Sequence, residues 1–79
     1  MNDQVKKIWE IIKTNETFQE KENRELVQLF MKIDATQVPQ ELANEIKEIL
    51  VMLLNQKWSN TEKEEEYLSD ILTELRKKN

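Results

Sequence analysis

Apolar and polar positions along this chain recur with a helical period. The densest apolar stretch is Ile49-Leu50-Val51-Met52-Leu53-Leu54, and Leu42, Ile46, Ile49, Leu50 and Leu53 keep the i, i+4, i+7, i+8, i+11 spacing of one buried helix face. At about 100° of rotation per residue these five fall within a sector of about 100°. Val51 and Met52 fall outside it. The last turn and a half is therefore apolar nearly all round, and it needs cover from more than one side or leaves an exposed patch. A run of six is far short of the roughly 20 residues a membrane span requires, so this is the central helix of a core.

Three further segments carry the same signature. Val5, Ile8, Trp9 and Ile12 keep i, i+3, i+4, i+7 spacing behind Asn2 or Asp3 as N-cap, and Ile11 widens the apolar arc to about 160°. Thr14-Asn15-Glu16-Thr17 breaks the pattern, and Thr17-x-x-Glu20 has capping-box spacing. Leu26, Leu29, Phe30 and Ile33 define the next face, with Val27 and Met31 off it and with Glu20 and Arg24 placed to pair across a turn. That helix starts at Phe18 or restarts at Asn23. Pro39, which disfavours a helical Val38 and suits a first turn, makes Asp34 to Val38 a connection. The final segment opens on Thr61-x-x-Glu64, a second capping-box spacing, and presents Leu68, Ile71, Leu72 and Leu75 with Tyr67 at the margin. The pattern predicts an all-α fold, a small antiparallel bundle of four short helices at about residues 3–14, 18–34, 39–55 and 61–77, in one domain covering residues 1–79.

Composition narrows the chemistry. A chain of 79 residues buries only about 60% of the surface its unfolded form exposes, and with no cysteine it has no disulfide or thiolate-bound metal to supplement that core. Histidine and glycine are absent too, which removes the commonest general base, the commonest zinc ligand and every glycine-dependent phosphate loop. Ser59, Ser69 and the threonines have no histidine to activate them. The expectation is a protein that is not an enzyme and uses no cofactor, metal or small-molecule substrate.

Charge adds a second exclusion. Sixteen acidic residues against twelve basic give a net charge of −4, which disfavours phosphate-backbone binding, and the last helix is acidic where a DNA-reading helix would be basic. Nucleic acid is not the expected partner. Glu62, Glu64, Glu65 and Glu66 could suggest an oxygen-ligand metal site, but adjacent helical positions point about 100° apart, and a solvated helix start is the simpler reading. With Arg76, Lys77 and Lys78 at the other end, that helix has favourable charge at both ends of its dipole. The chain has no secretory layout near Met1 and no spanning segment, so the expected location is cytoplasmic.

The apolar residues that miss the expected core faces are then the most informative. Trp9 and Ile11 in the first helix, Val27 and Met31 in the second and Met52 in the third, with Trp58 in a connection, are candidate partner-binding residues. Short helices with wide core faces account for the same pattern without a partner. Trp is enriched at interface hot spots and Met suits adaptable contacts, and a large exposed apolar patch needs a partner to explain it. The leading expectation is a protein-binding module, a regulator, inhibitor or adaptor presenting a helical apolar face rimmed with acid. A homodimeric structural protein using the same surface is the alternative. In size, four-helix layout and Lys/Glu/Asn-rich composition the chain also resembles the immunity proteins that protect lactic acid bacteria from their own pediocin-like bacteriocins. That resemblance rests on layout and implies a small cytoplasmic helical bundle that acts by protein contact at the membrane.

Overall fold

The computed structural model describes residues 1–56 and 60–78. It is an all-α bundle of four helices, α1 (Asp3–Thr14), α2 (Glu20–Phe30), α3 (Ala43–Asn55) and α4 (Glu62–Lys77), with short 3-10 turns at Ala35–Gln37 and Gln40–Leu42. Helix α1 packs on α2, α3 packs on α4, and contacts between α2 and α4 join the two pairs. Val5 and Ile8 from α1, Leu26, Val27 and Phe30 from α2, Ile46, Leu50 and Leu53 from α3, and Leu68 and Leu75 from α4 meet in one core.

The chain has no glycine, the residue best suited to a left-handed helix end, and no described residue has a positive φ. Side chains satisfy the freed carbonyls instead. At the end of α1 the Thr14 hydroxyl donates to the Glu10 carbonyl at 2.7 Å and Asn15 Nδ2 donates to that of Ile11 at 2.9 Å, while Asn15 turns extended. At its start Asn2 Oδ1 accepts from the Gln4 and Val5 N–H groups. For α4 the anticipated Thr61 and Glu64 capping box is present, with each side chain accepting from the other's backbone N–H at 3.0 and 2.9 Å.

Three boundaries differ from the pattern-based reading. Helix α2 begins two residues later than Phe18, and the Gln19 N–H donates to Glu22 Oε1 at 2.8 Å, so Thr17 and Glu20 are not its capping pair. Asn23 is no cap either; it sits within α2 and is buried. The α-helix stops at Phe30 rather than 34, because the chain tightens through Met31 and Lys32 to send Ile33, Ala35 and Val38 into the core. Pro39 is extended, and the segment after it makes a 3-10 turn before the α-helix proper starts at Ala43.

The buried face of α2 is also rotated. Leu26, Val27, Phe30 and Asn23 are all buried, whereas Leu29 is half-buried. On a wheel of about 100° per residue the centre of that face lies roughly 60° from the one defined by Leu26, Leu29, Phe30 and Ile33. Val27 is fully enclosed and belongs to the core, so it is withdrawn as a partner-binding residue.

Candidate functional site

Two polar features stand out once the core is set aside, and they behave in opposite ways. The first is closed. Glu64 lies at i, i+4, i+7, i+11 with Leu68, Ile71 and Leu75, on the inward stripe of α4, and it is buried while Glu62, Glu65 and Glu66 are exposed. The solvated-helix-start reading therefore fails for Glu64 and holds for its three neighbours. Arg24 from α2 forks onto its carboxylate, Nη1 to Oε1 at 3.2 Å and Nη2 to Oε2 at 3.0 Å, instead of pairing with Glu20. Gln28 Nε2 donates to Oε2 at 3.1 Å, and Arg24 Nη1 also reaches Asn60 Oδ1 at 3.2 Å. Asn60 Nδ2 then donates to the Leu53 carbonyl at 3.0 Å, so the cluster ties α2, the end of α3 and the start of α4 together.

Electrostatics follow from these contacts. The Arg24 hydrogen bonds first, and then the Thr61 N–H, draw the Glu64 carboxyl down from its ordinary 4.5 to about 2 against the opposing effect of burial. Glu64 is thus held ionised and saturated with donors. Such a carboxylate is a poor general acid or base, and the cluster has the character of a structural clasp. A second clasp ties α4 to the segment that follows α2: Tyr67 Oη, in the second turn of α4, donates to the Ile33 carbonyl, and Lys78 Nζ, just past the end of the helix, donates to that of Ala35 at 2.7 Å. Asp34, which caps the first 3-10 turn, has its carboxyl lowered chiefly by the Thr36 hydroxyl. Among the described residues no three His, Cys, Asp or Glu side chains are grouped to hold a metal ion, and no helix is long and apolar enough to cross a membrane.

The second feature is open. A groove of about 550 Å³ runs between α1 and α2, lined by Lys7, Glu10, Ile11 and Thr14 on one side and Glu25, Gln28, Leu29 and Lys32 on the other. Each helix contributes an i, i+3, i+4, i+7 quartet whose third member is the apolar one. Ile11 and Leu29 make the floor, both half-buried and packed against the core, while the remaining six line the walls exposed. None of the four charged side chains forms an ion pair with another of them. Leu29 is in spacing with Leu26, Phe30 and Ile33 and so reads as core from the sequence; the signal that marks it as groove floor is its quartet with Glu25, Gln28 and Lys32, which matches the one on α1.

The other candidates are dispersed. Trp9 stands on the opposite flank of α1, two residues and about 200° from Ile11, in a smaller recess with Lys6 and Glu10 and with Lys13 Nζ 5.7 Å from its ring centroid. Met31, two residues beyond Leu29, is half-buried on the far flank of α2. Met52 packs against the core from α3. Trp58 lies outside the described residues. Of the five sequence candidates among the described residues, only Ile11 lines the groove. A further depression between α3 and α4, lined by Lys47, Glu48, Val51 and Arg76 among others, is more open to solvent.

Fold and groove define a small all-α bundle with a recessed, apolar-floored face between α1 and α2. Comparison with protein-family models, with curated proteins and with solved structures finds no match for the chain.

Proposed function

We propose that this protein is a small non-enzymatic binding module that receives a helical surface of another polypeptide in the α1–α2 groove. The observation that supports the reading is the pairing of Ile11 and Leu29 as a shared apolar floor between walls of exposed polar and charged side chains. Groove recognition of this kind reads apolar anchors at i, i+3, i+4 and i+7 of the incoming helix, with the charged rim fixing its direction. The clasped carboxylate of Glu64 is engaged in holding the bundle together, whereas the charges of the groove are exposed and placed to meet a partner.

Ile11→Glu tests the reading. The side chain is half-buried in the groove floor rather than enclosed in the core, so the variant should keep its helical circular dichroism and melt within a few degrees of the parent, yet it should no longer retain the partner captured by the parent from the source cell. Unaltered capture by a folded Ile11→Glu variant would remove the groove from consideration. Trp9→Glu serves as the control on the opposite flank, and it should leave capture intact.

A further inference from the structure

The groove's charges are arranged in a way that selects an occupant. Along α2 and the turn that prolongs it, where the Lys32 N–H donates to the Leu29 carbonyl at 3.0 Å, Glu25 and Lys32 lie seven residues apart, about 10 Å along the helix axis. The centre of that stretch falls between Gln28 and Leu29. A two-fold axis set there, perpendicular to α2, lays residues 25–32 of a second copy, the end of its α2 and the turn beyond, antiparallel across the same stretch of the first and brings Glu25 of each copy opposite Lys32 of the other, with the two Leu29 side chains neighbours at the axis. This is the self-complementarity that an isologous contact requires.

The rim of the groove supports the same occupant. Lys7 and Lys32 balance Glu10 and Glu25, so the face is neutral on a chain whose net charge is −4. Two copies of an acidic protein repel one another through most of their surfaces, but this face adds no repulsion and offers four charges that are unpaired with one another in the single chain. Resting on the reading of the groove as a docking site, the geometry points to a second copy of this chain as its occupant, joined through antiparallel α2 helices with Glu25 and Lys32 as reciprocal pairs over Ile11 and Leu29.

A contact confined to two short helices is at the small end of protein interfaces, so the dimer should dissociate in the micromolar range or above, within reach of light scattering followed over about a hundredfold dilution. The parent should pass from dimer to monomer across that range. Lys32→Glu and Glu25→Lys, both at exposed positions, should each place like charges opposite one another twice and weaken association roughly tenfold. Mixed in equal amounts, the two variants should recover a one-to-one heterodimer, because each then offers the sign the other lacks. A parent that stays monomeric throughout would overturn the second copy as occupant, while the groove itself would still stand or fall on Ile11→Glu. Single variants that associate as the parent does would place the dimer on another face, and a mixture that fails to associate would refute the two-fold register.

Discussion

The two polar regions of this bundle use the same side chains to opposite ends. At the α2–α4 seam the packing of the two helices brings a glutamate and an arginine together, and Arg24, Gln28 and the Thr61 N–H all donate to the carboxylate. In the α1–α2 groove two glutamates and two lysines stand in water with an apolar floor between them. Burial decides the difference. An enclosed carboxylate must be satisfied within the chain, since an unmet one costs several kcal/mol, whereas exposed charges are already solvated and remain available to a partner. The seam holds helices in place and the groove has its charges in reserve.

Removing one side of the seam should therefore have the largest effect. Arg24→Met leaves Glu64 with Gln28 and the Thr61 N–H but no compensating charge. Because Arg24 is about a third exposed, the cost should fall below that of a fully buried pair, at about 2 kcal/mol, or a melting temperature lower by roughly 8–16 °C in a domain of this size. The matching change in the groove, Glu25→Gln, should stay within about 0.5 kcal/mol. Thermal melts of the two variants at neutral pH, in dilute protein, make the comparison directly. Equal effects would mean that the seam is no more than another surface pair.

Titration sharpens the same contrast. The Glu64 carboxyl is lowered from 4.5 to about 2 on folding, so between those values the unfolded chain binds a proton that the native chain does not. Falling pH then favours the unfolded state. The contribution is complete above about 4.5 and is lost as pH drops through about 2. Full conversion of the shift would give about 3 kcal/mol, and screening through the partly exposed Arg24 reduces it to about 2. Glu64→Gln, which has no carboxyl to titrate there, should lose that much less stability than the parent between pH 5 and pH 2 as measured by urea unfolding. Parallel acid limbs for the two proteins would show that the clasp is not what sets acid sensitivity.

How much of this was legible in the chain differs by level. The apolar periods of α1, α3 and α4 announce the all-α class and most of the core, because in α3 and α4 the strongest stripe is the one that is buried and in α1 that stripe holds the buried Val5 and Ile8, with Trp9 at its margin. Glu64 was legible in principle: it falls in register with Leu68, Ile71 and Leu75, but membership of an acidic run hid its position on the wheel. Its partner was not legible, since Arg24 lies forty positions away and only the packing of α2 on α4 brings the two together. The groove was half visible. Ile11 stood out as surplus to its helix face, yet nothing in a single helix tells which flank faces a neighbour, and so Trp9, Met31 and Ile11 looked equivalent although they point to different sides of the bundle.

Helix α2 shows why the period alone can misplace a face. Leu26, Leu29, Phe30 and Ile33 make the stronger apolar stripe, but Ile33 lies beyond the end of the α-helix, where the tightening turn resets its direction. Discounting Ile33 leaves Leu26, Leu29 and Phe30 on nearly the same centre, so the stripe alone does not give the observed face; contact with both α1 and α4 selects the one centred nearer Val27 and Asn23. The two faces make opposite forecasts for truncation. If Val27 is core, Val27→Ala removes two enclosed methyl groups and should cost about 2 kcal/mol, whereas Leu29→Ala, although it deletes more atoms, should cost less than about 1 because the groove floor is already partly wet. Chemical unfolding of both variants at a concentration where the chain is monomeric reads the difference, which is only about 1 kcal/mol but carries a definite sign. A costlier Leu29→Ala would restore the face that the spacing implies, close the groove into the core, and take with it the site on which the docking proposals depend.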